Sequence, residues 1–344
     1  MSEQPFVSIC TPTYNRRPFI EIMFQCFRNQ TYPRDKMEWI IVDDGTDKIE
    51  DLILTSKLPQ IRYFKLKKKM KLGEKRNYMH KHVKGSIIVY MDDDDYYPPQ
   101  RVEHCVETLL ANPTALCAGS SELYLYFKHI DKMYQSGPFG DNHATAGTFA
   151  FKKELLEQTK YDDNASLAEE RSFLKEYTIP FVQLDPMKTI LVFSHDHNSF
   201  DKKNMLQNCH PQYFKESSKN VRDFIQHEHE ESIYKFFMED IDQLLEDYLP
   251  GKAENKPDVV QQLHEISEQR KQMMQAQQMQ TPSIMIEVPG QGKRPMSPPE
   301  IVQVLSQQQN QIKFLINRVK ELENNLLQAQ MNAAMGTPNF SYNT

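Results

Sequence analysis

Short apolar runs alternate with amphipathic stretches through the first part of this chain. Phe6-Val7-Ser8-Ile9-Cys10-Thr11 reads as a buried strand, and Phe19 to Asn29 as a helix that gathers Ile20, Phe24 and Phe27 on one face. Trp39-Ile40-Ile41-Val42 predicts a second strand, Ile61-Arg62-Tyr63-Phe64 a shorter third, Gly73 to Val83 a helix, and Ser86 to Met91 a further strand. Leu116 to Phe127, Ala146 to Phe151 and Ile190 to Phe193 add more strand-like segments. The runs are continuously apolar, as strands covered on both faces require. Strand, helix and strand in this alternation predict an α/β fold of right-handed βαβ units on a mostly parallel sheet. Residues 1–200 would form that domain.

The pattern then changes. Val221, Phe224, Ile225, Ile233, Phe236, Phe237, Leu244 and Leu245 recur at helical spacing, which predicts a helical appendage over residues 201–250 packed on the first domain. Pro250-Gly251 closes it. Residues 251–299 shift to Gln, Met, Glu and Pro and read as a disordered linker, with transient helix in Lys271 to Gln280. Ile301, Leu305, Gln308, Ile312, Leu315, Val319, Leu322, Leu326 and Ala329 then alternate by four and three, a heptad seam predicting a coiled coil over 300–331. Ser297-Pro298-Pro299-Glu300 is its expected start. Homo-oligomerisation through residues 301–329 is the implied partner interaction, and residues 332–344 should be a disordered tail.

Composition narrows the function classes. The formal net charge of −6 over 344 residues gives no reason to expect a nucleic acid partner. No run approaches the ~18 apolar residues of a transmembrane segment. The five scattered cysteines form no CxxC pair, and Met1 to Pro5 has no basic or apolar leader. A reducing, cytoplasmic setting is expected, in a bacterium or a virus-infected cell. His227-Glu228-His229-Glu230-Glu231 reads as solvated surface.

The chemistry is concentrated where strands end. The second strand runs into Asp43-Asp44 and the strand at Ser86 into Asp92-Asp93-Asp94-Asp95. In open α/β sheets ligands collect at the carboxyl ends of the strands. Four adjacent carboxylates raise one another's pKa unless solvated or neutralised, and a hard divalent cation relieves that cost. An acidic turn before Pro98-Pro99 is the other reading of the same residues. Lys65, Lys67, Lys68, Lys69, Lys71 and Lys75 read first as a solvated charge run, though they would also steer an anion.

"VSICTPTYN", "WIIVDDGT", "GEKRNYMHKHVKGSIIVYMDDDDYYPP" and "AEERSFLKEY" follow one another in that order. Together they resemble the successive motifs of family 2 glycosyltransferases, inverting enzymes of the GT-A fold, over about residues 5 to 200. The resemblance implies transfer of a sugar from a nucleotide-sugar, by default a UDP-sugar, to a hydroxyl on a glycan, protein or lipid. It implies that Pro12, Thr13 and Tyr14 meet the nucleotide base, that Asp44 accepts a hydrogen bond from it, and that Arg76 and Asn77 approach base and ribose. The family's Asp-x-Asp falls on Asp92 and Asp94, which would bind Mn²⁺ or Mg²⁺, with Asp93 near the ribose. Glu170 matches the catalytic base, a longer side chain than the family's Asp, and leaves Glu169 as the alternative. In some GT-A enzymes a late histidine completes the metal shell; alternation along an extended segment would point both His195 and His197 at the site.

Two other classes compete. A catalytically inactive GT-A-fold scaffold, assembled through its coiled coil, would retain the fold without the chemistry. A nucleotidyltransferase would bring a Gly-rich phosphate loop, and Thr11 to Pro18 contains no glycine.

Overall fold

A computed structural model describes residues 4–167, 169–280, 285–288 and 292–335. It divides into two units, residues 1–267 and 268–344.

The first unit opens with β1 (Val7–Thr13), α1 (Ile20–Arg28), β2 (Met37–Asp43), α2 (Glu50–Thr55), β3 (Ile61–Lys65), α3 (Leu72–His80), β4 (Ile87–Tyr90) and α4 (Arg101–Ala111). β5 (Cys117–Gly119), β6 (Leu123–Phe127), β7 (Lys132–Ser136), β8 (Ala150–Lys152), α5 (Glu170–Phe173), β9 (Phe181–Gln183) and β10 (Leu191–Ser194) follow. The unit continues through α6 (Met205–Asn208), β11 (Phe214–Glu216), α7 (Glu231–Lys235) and α8 (Ile241–Glu246) into α9 (Pro257–Gln280).

Seven strands form the main sheet in the order β3-β2-β1-β4-β8-β5-β9. β1, β2, β3 and β4 are mutually parallel, with Thr13 opposite Asp43 and Cys10 opposite Tyr90. The expected α/β class is therefore present, with one difference: β8 runs antiparallel between β4 and β5. A second sheet, β10-β6-β7-β11, stands beside it. The Tyr96–Leu191 bridge ties the segment immediately after the acid run to β10 of that second sheet.

Burial explains the elements. β1, β2 and β4 are inaccessible along almost their whole length, and α1 covers one face with Ile20, Met23, Phe24 and Phe27. Trp39 fixes the register at the site's edge. Its ring stacks on Phe27 at 4.6 Å, its Nε1–H donates to Thr11 Oγ1 at 2.9 Å, and Thr11 donates to the Met91 carbonyl at 2.6 Å. One buried polar chain thus ties β2, β1 and the exit of β4 together.

Residues 201–250 pack on the first domain, and they are not purely helical. β11 pairs with β7, and Phe224, Ile225, Phe236 and Phe237 join the main core. The His227–Glu231 segment is not all solvated either: Glu230 is fully buried and accepts the Tyr96 hydroxyl at 2.8 Å. The expected disordered linker also contains structure, since residues 257–280 form α9, whose start belongs to the first unit and buries Val259.

In the second unit, β12 (Met285–Val288) and β13 (Gly292–Pro295) make an antiparallel hairpin, and α10 (Pro298–Met335) is one long helix. Ser297 caps it as its sequence suggests, with backbone and hydroxyl both donating to Glu300 at 2.8 Å. Leu305, Ile312, Leu315, Val319, Leu322 and Leu326 of the heptad seam are all exposed. The predicted tail lies mostly outside the described residues.

Candidate functional site

The ends of β1, β2 and β4 open on one edge, and the loops that follow them bring the candidate residues together. Asp43 serves the turn itself: it is buried and accepts from the Gly45 and Ile49 amides and the Tyr63 hydroxyl. Asp44 faces the other way. It accepts the Met70 amide at 2.6 Å and pairs with the buried Lys75, which also donates to the Thr13 carbonyl at 3.1 Å. Burial pulls Lys75 down from its usual pKa, against the attraction of Asp44.

The four aspartates after β4 occupy four different environments. Asp92 is half-buried, and Gly147 makes room for it: a Cβ at that glycine would lie 2.8 Å from Asp92 Oδ2. Asp93 lies 3.5 Å from Arg16 Nε, while its buried Oδ2 has no hydrogen-bond partner among the described residues. Burial lifts it to about 7, against the pull of Arg16. Asp94 accepts Arg16 Nη2 at 3.0 Å and lies 3.5 Å from His195 Nε2. Burial would raise Asp94, but Arg16 and His195 hold it well below the usual carboxylate range. Asp95 accepts the Phe193 amide at 3.3 Å and is raised by burial and by Asp94. One strongly ionised carboxylate flanked by neighbours that resist ionisation is what crowded like charges produce.

The two histidines part company. Residues 195–198 form a turn, closed by the Asn198 amide on the His195 carbonyl at 3.1 Å, so the extended alternation expected from the sequence does not apply. His195 faces Asp94, and burial pushes it down to about 4, leaving a neutral imidazole. His197 turns toward Tyr248 and Gly251, and its carbonyl accepts Arg16 at 2.7 Å. Among the described residues no cluster of three or more His, Cys, Asp or Glu converges as a preformed metal cage.

Beside the aspartates lies a cavity of ≈110 Å³. Pro12, Thr13, Tyr14 and Asp93 line it, together with Arg16, Lys69, Lys75 and Lys256. Lys69 sits 4.9 Å from the centre of the Tyr14 ring. The lysine run is thus not simply solvated: Lys75 is buried, and Lys69 pairs with Asp258 at this cavity.

Arg76 and Asn77 do not line it. Asn77 is spent on the 161–163 loop, donating to the Tyr161 carbonyl and Asp163 and accepting the Tyr161 amide. Arg76 lies 4.5 and 5.3 Å from the ring centres of Tyr90 and Tyr161 and pairs with Glu169 at 3.0 Å, both partners buried. Glu170, the first residue of α5, has no such partner among the described residues; burial and the Glu169 charge push it up to about 7.

Residues 8–165 match the sequence profile described as Glycosyl transferase family 2. That match covers 158 of the 344 residues, just under half of the chain. An uncharacterized glycosyltransferase of Rickettsia typhi is 31% identical over 138 residues, covering 38% of this chain and 42% of its own length. The chain spans less than half the length of this and the next relatives. Among solved structures, the mannosyltransferase PcManGT from Pyrobaculum calidifontis in complex with GDP-Man and Mn²⁺ has a TM-score of 0.45 at 20% identity, covering 55% of this chain and 57% of that one. S. aureus TarS with UDP-GlcNAc has a TM-score of 0.43 at 16% identity, covering 55% and 58%. No helix among the described residues is long and apolar enough to cross a membrane.

The family 2 motifs pointed to the strand ends but not to Arg16, which ties Asp93, Asp94 and His197 together. Its only sequence signal is its place directly after the motif residues Thr13-Tyr14-Asn15. Lys256 and Asp258 had none, because they come from a stretch that reads as linker.

Proposed function

We propose that this family 2 domain transfers a sugar from a nucleotide-sugar, with a UDP-sugar as the first donor to test, to a hydroxyl acceptor with inversion. The observation that carries the reading is the junction of the acidic tip with a cation-lined cavity, where Arg16 bridges the two. Tyr14 offers a ring face for the base, while Asp44 does not line the cavity and acts there only through Lys75, which does.

Asp92 and Asp94 would hold Mn²⁺ or Mg²⁺, with His195 at hand beside Asp94. The unpartnered Oδ2 of Asp93 and the half-buried Asp92 fit a site that retains unspent acceptor capacity. A divalent cation there would neutralise charge on the diphosphate as it departs. In the reaction the acceptor oxygen attacks the anomeric carbon, the bond from that carbon to the diphosphate oxygen breaks, and the hydroxyl proton passes to a carboxylate. Glu170 suits that role better than Glu169. A base works best with a pKa near the operating pH, and Glu169 is committed to Arg76 in a buried pair.

The test is a panel of UDP- and GDP-sugars incubated with the full chain and Mn²⁺, reading release of nucleoside diphosphate. Release from one donor, abolished by chelator, is the expected result. No release from any donor would overturn the reading. The exposed seam of α10 is proposed as the route to a homo-oligomer.

A further inference from the structure

Residues 250–262 cross the mouth of the cavity as a strap. Asn15 donates to the Pro250 carbonyl at 3.0 Å. Gly251 passes so close that a Cβ there would lie 2.5 Å from His197 Nδ1 and 2.8 Å from the Asn15 carbonyl. The Tyr14 hydroxyl donates to the Asn255 carbonyl at 3.2 Å, Lys69 pairs with Asp258, and Ser166 donates to Asp258 at 2.9 Å and to Gln262 at 2.7 Å. The strap therefore holds Tyr14 and Lys69, two of the groups that face the proposed donor.

The strap also delivers a cation. Lys256 is 5% exposed and lines the cavity beside Arg16 and Asp93. Among the described residues its ammonium group has one hydrogen bond, to the neutral Ser199 hydroxyl at 2.8 Å, and no ion pair. Asp93 and Asp94 attract it from a distance, but both also face Arg16, and Asp258 is paired with Lys69. A buried ammonium without its own counter-charge is costly, and an arriving anion removes that cost.

We propose that Lys256 binds the diphosphate of the donor, as a residue the strap contributes to the site. This rests on the nucleotide-sugar reading and extends it to a part of the chain beyond the family match at residues 8–165.

The test uses the full chain and isothermal titration with UDP or GDP, whichever the wild type binds, alongside the matching monophosphate. Lys256→Ala should weaken diphosphate binding about tenfold or more, the scale of a lost charge-assisted hydrogen bond, and monophosphate binding less. Lys256→Arg should restore most of it. The melting temperature of Lys256→Ala should not fall, because the free protein gains no ion pair from this lysine. Unchanged diphosphate affinity in a protein that binds well overturns the proposal alone. So does an equal loss for both nucleotides accompanied by a lower melting temperature, which marks a structural lysine. A wild type that binds neither UDP nor GDP overturns the donor reading and this proposal with it.

Discussion

The Arg76–Glu169 pair offers the sharpest test of how the site is built. Both side chains are about 5% exposed or less, their closest approach is 3.0 Å, and the Arg76 guanidinium lies against the Tyr90 and Tyr161 rings. Arg76→Met keeps much of the volume between those rings but strands the Glu169 carboxylate, with the Asp92 carboxylate nearby. Removing one partner of a buried pair costs about 3–5 kcal/mol, because the other charge stays desolvated. For a unit of this size each kcal/mol lowers Tm by roughly 2–4 °C, so Arg76→Met should melt about 10 °C below wild type. Glu169→Leu should cost a similar amount. The double variant, with two apolar side chains in place of the pair, should recover most of the loss, giving a coupling of a few kcal/mol. Thermal and urea unfolding of the four proteins measure it. A single variant that loses under about 1 kcal/mol, or a double variant whose loss is the sum of the singles, would refute the reasoning.

Glu170→Gln should lower turnover by about 10²–10⁴-fold while leaving nucleotide affinity near wild type, the range for loss of a general base. The base acts only when ionised, and burial beside Glu169 pushes Glu170 up to about 7, so the wild-type rate should climb with pH through about 7; a profile flat from pH 6 to 8 would contradict the assignment. Leu315→Glu with Leu322→Glu should leave the full chain monomeric by light scattering, where the wild type is oligomeric; equal masses would dismiss the seam. These substitutions are preferable to a cut at Pro250, which would also remove Lys256 and Asp258.

Much of the sheet was legible because β1, β2 and β4 are continuously apolar and end in turn-forming or acidic residues. The two Asp-tipped strands could be placed on one edge before any coordinates, since parallel βαβ units leave little choice. The direction of β8 was not legible: three residues carry no sign of it, and their partners lie far away in the chain. Single-residue roles were least legible. Asn77 and Arg76 sit inside the motif yet bond to Tyr161, Asp163 and Glu169, partners from another segment. His195 and His197 diverge because a turn, not a strand, follows β10. The composition of residues 251–299 read as linker and hid the strap, which holds on through hydrogen bonds and an ion pair.

The central claim is that the acids after β4 grip a cation that grips a diphosphate. Isothermal titration of the full chain with UDP, with and without Mn²⁺, in wild type and Asp94→Asn, tests it most directly. The account expects Mn²⁺ to tighten UDP binding by at least about tenfold in the wild type and to do little in the variant, which loses one strong oxygen ligand. UDP binding that is indifferent to Mn²⁺ in the wild type, or equally metal-dependent in both proteins, would contradict it.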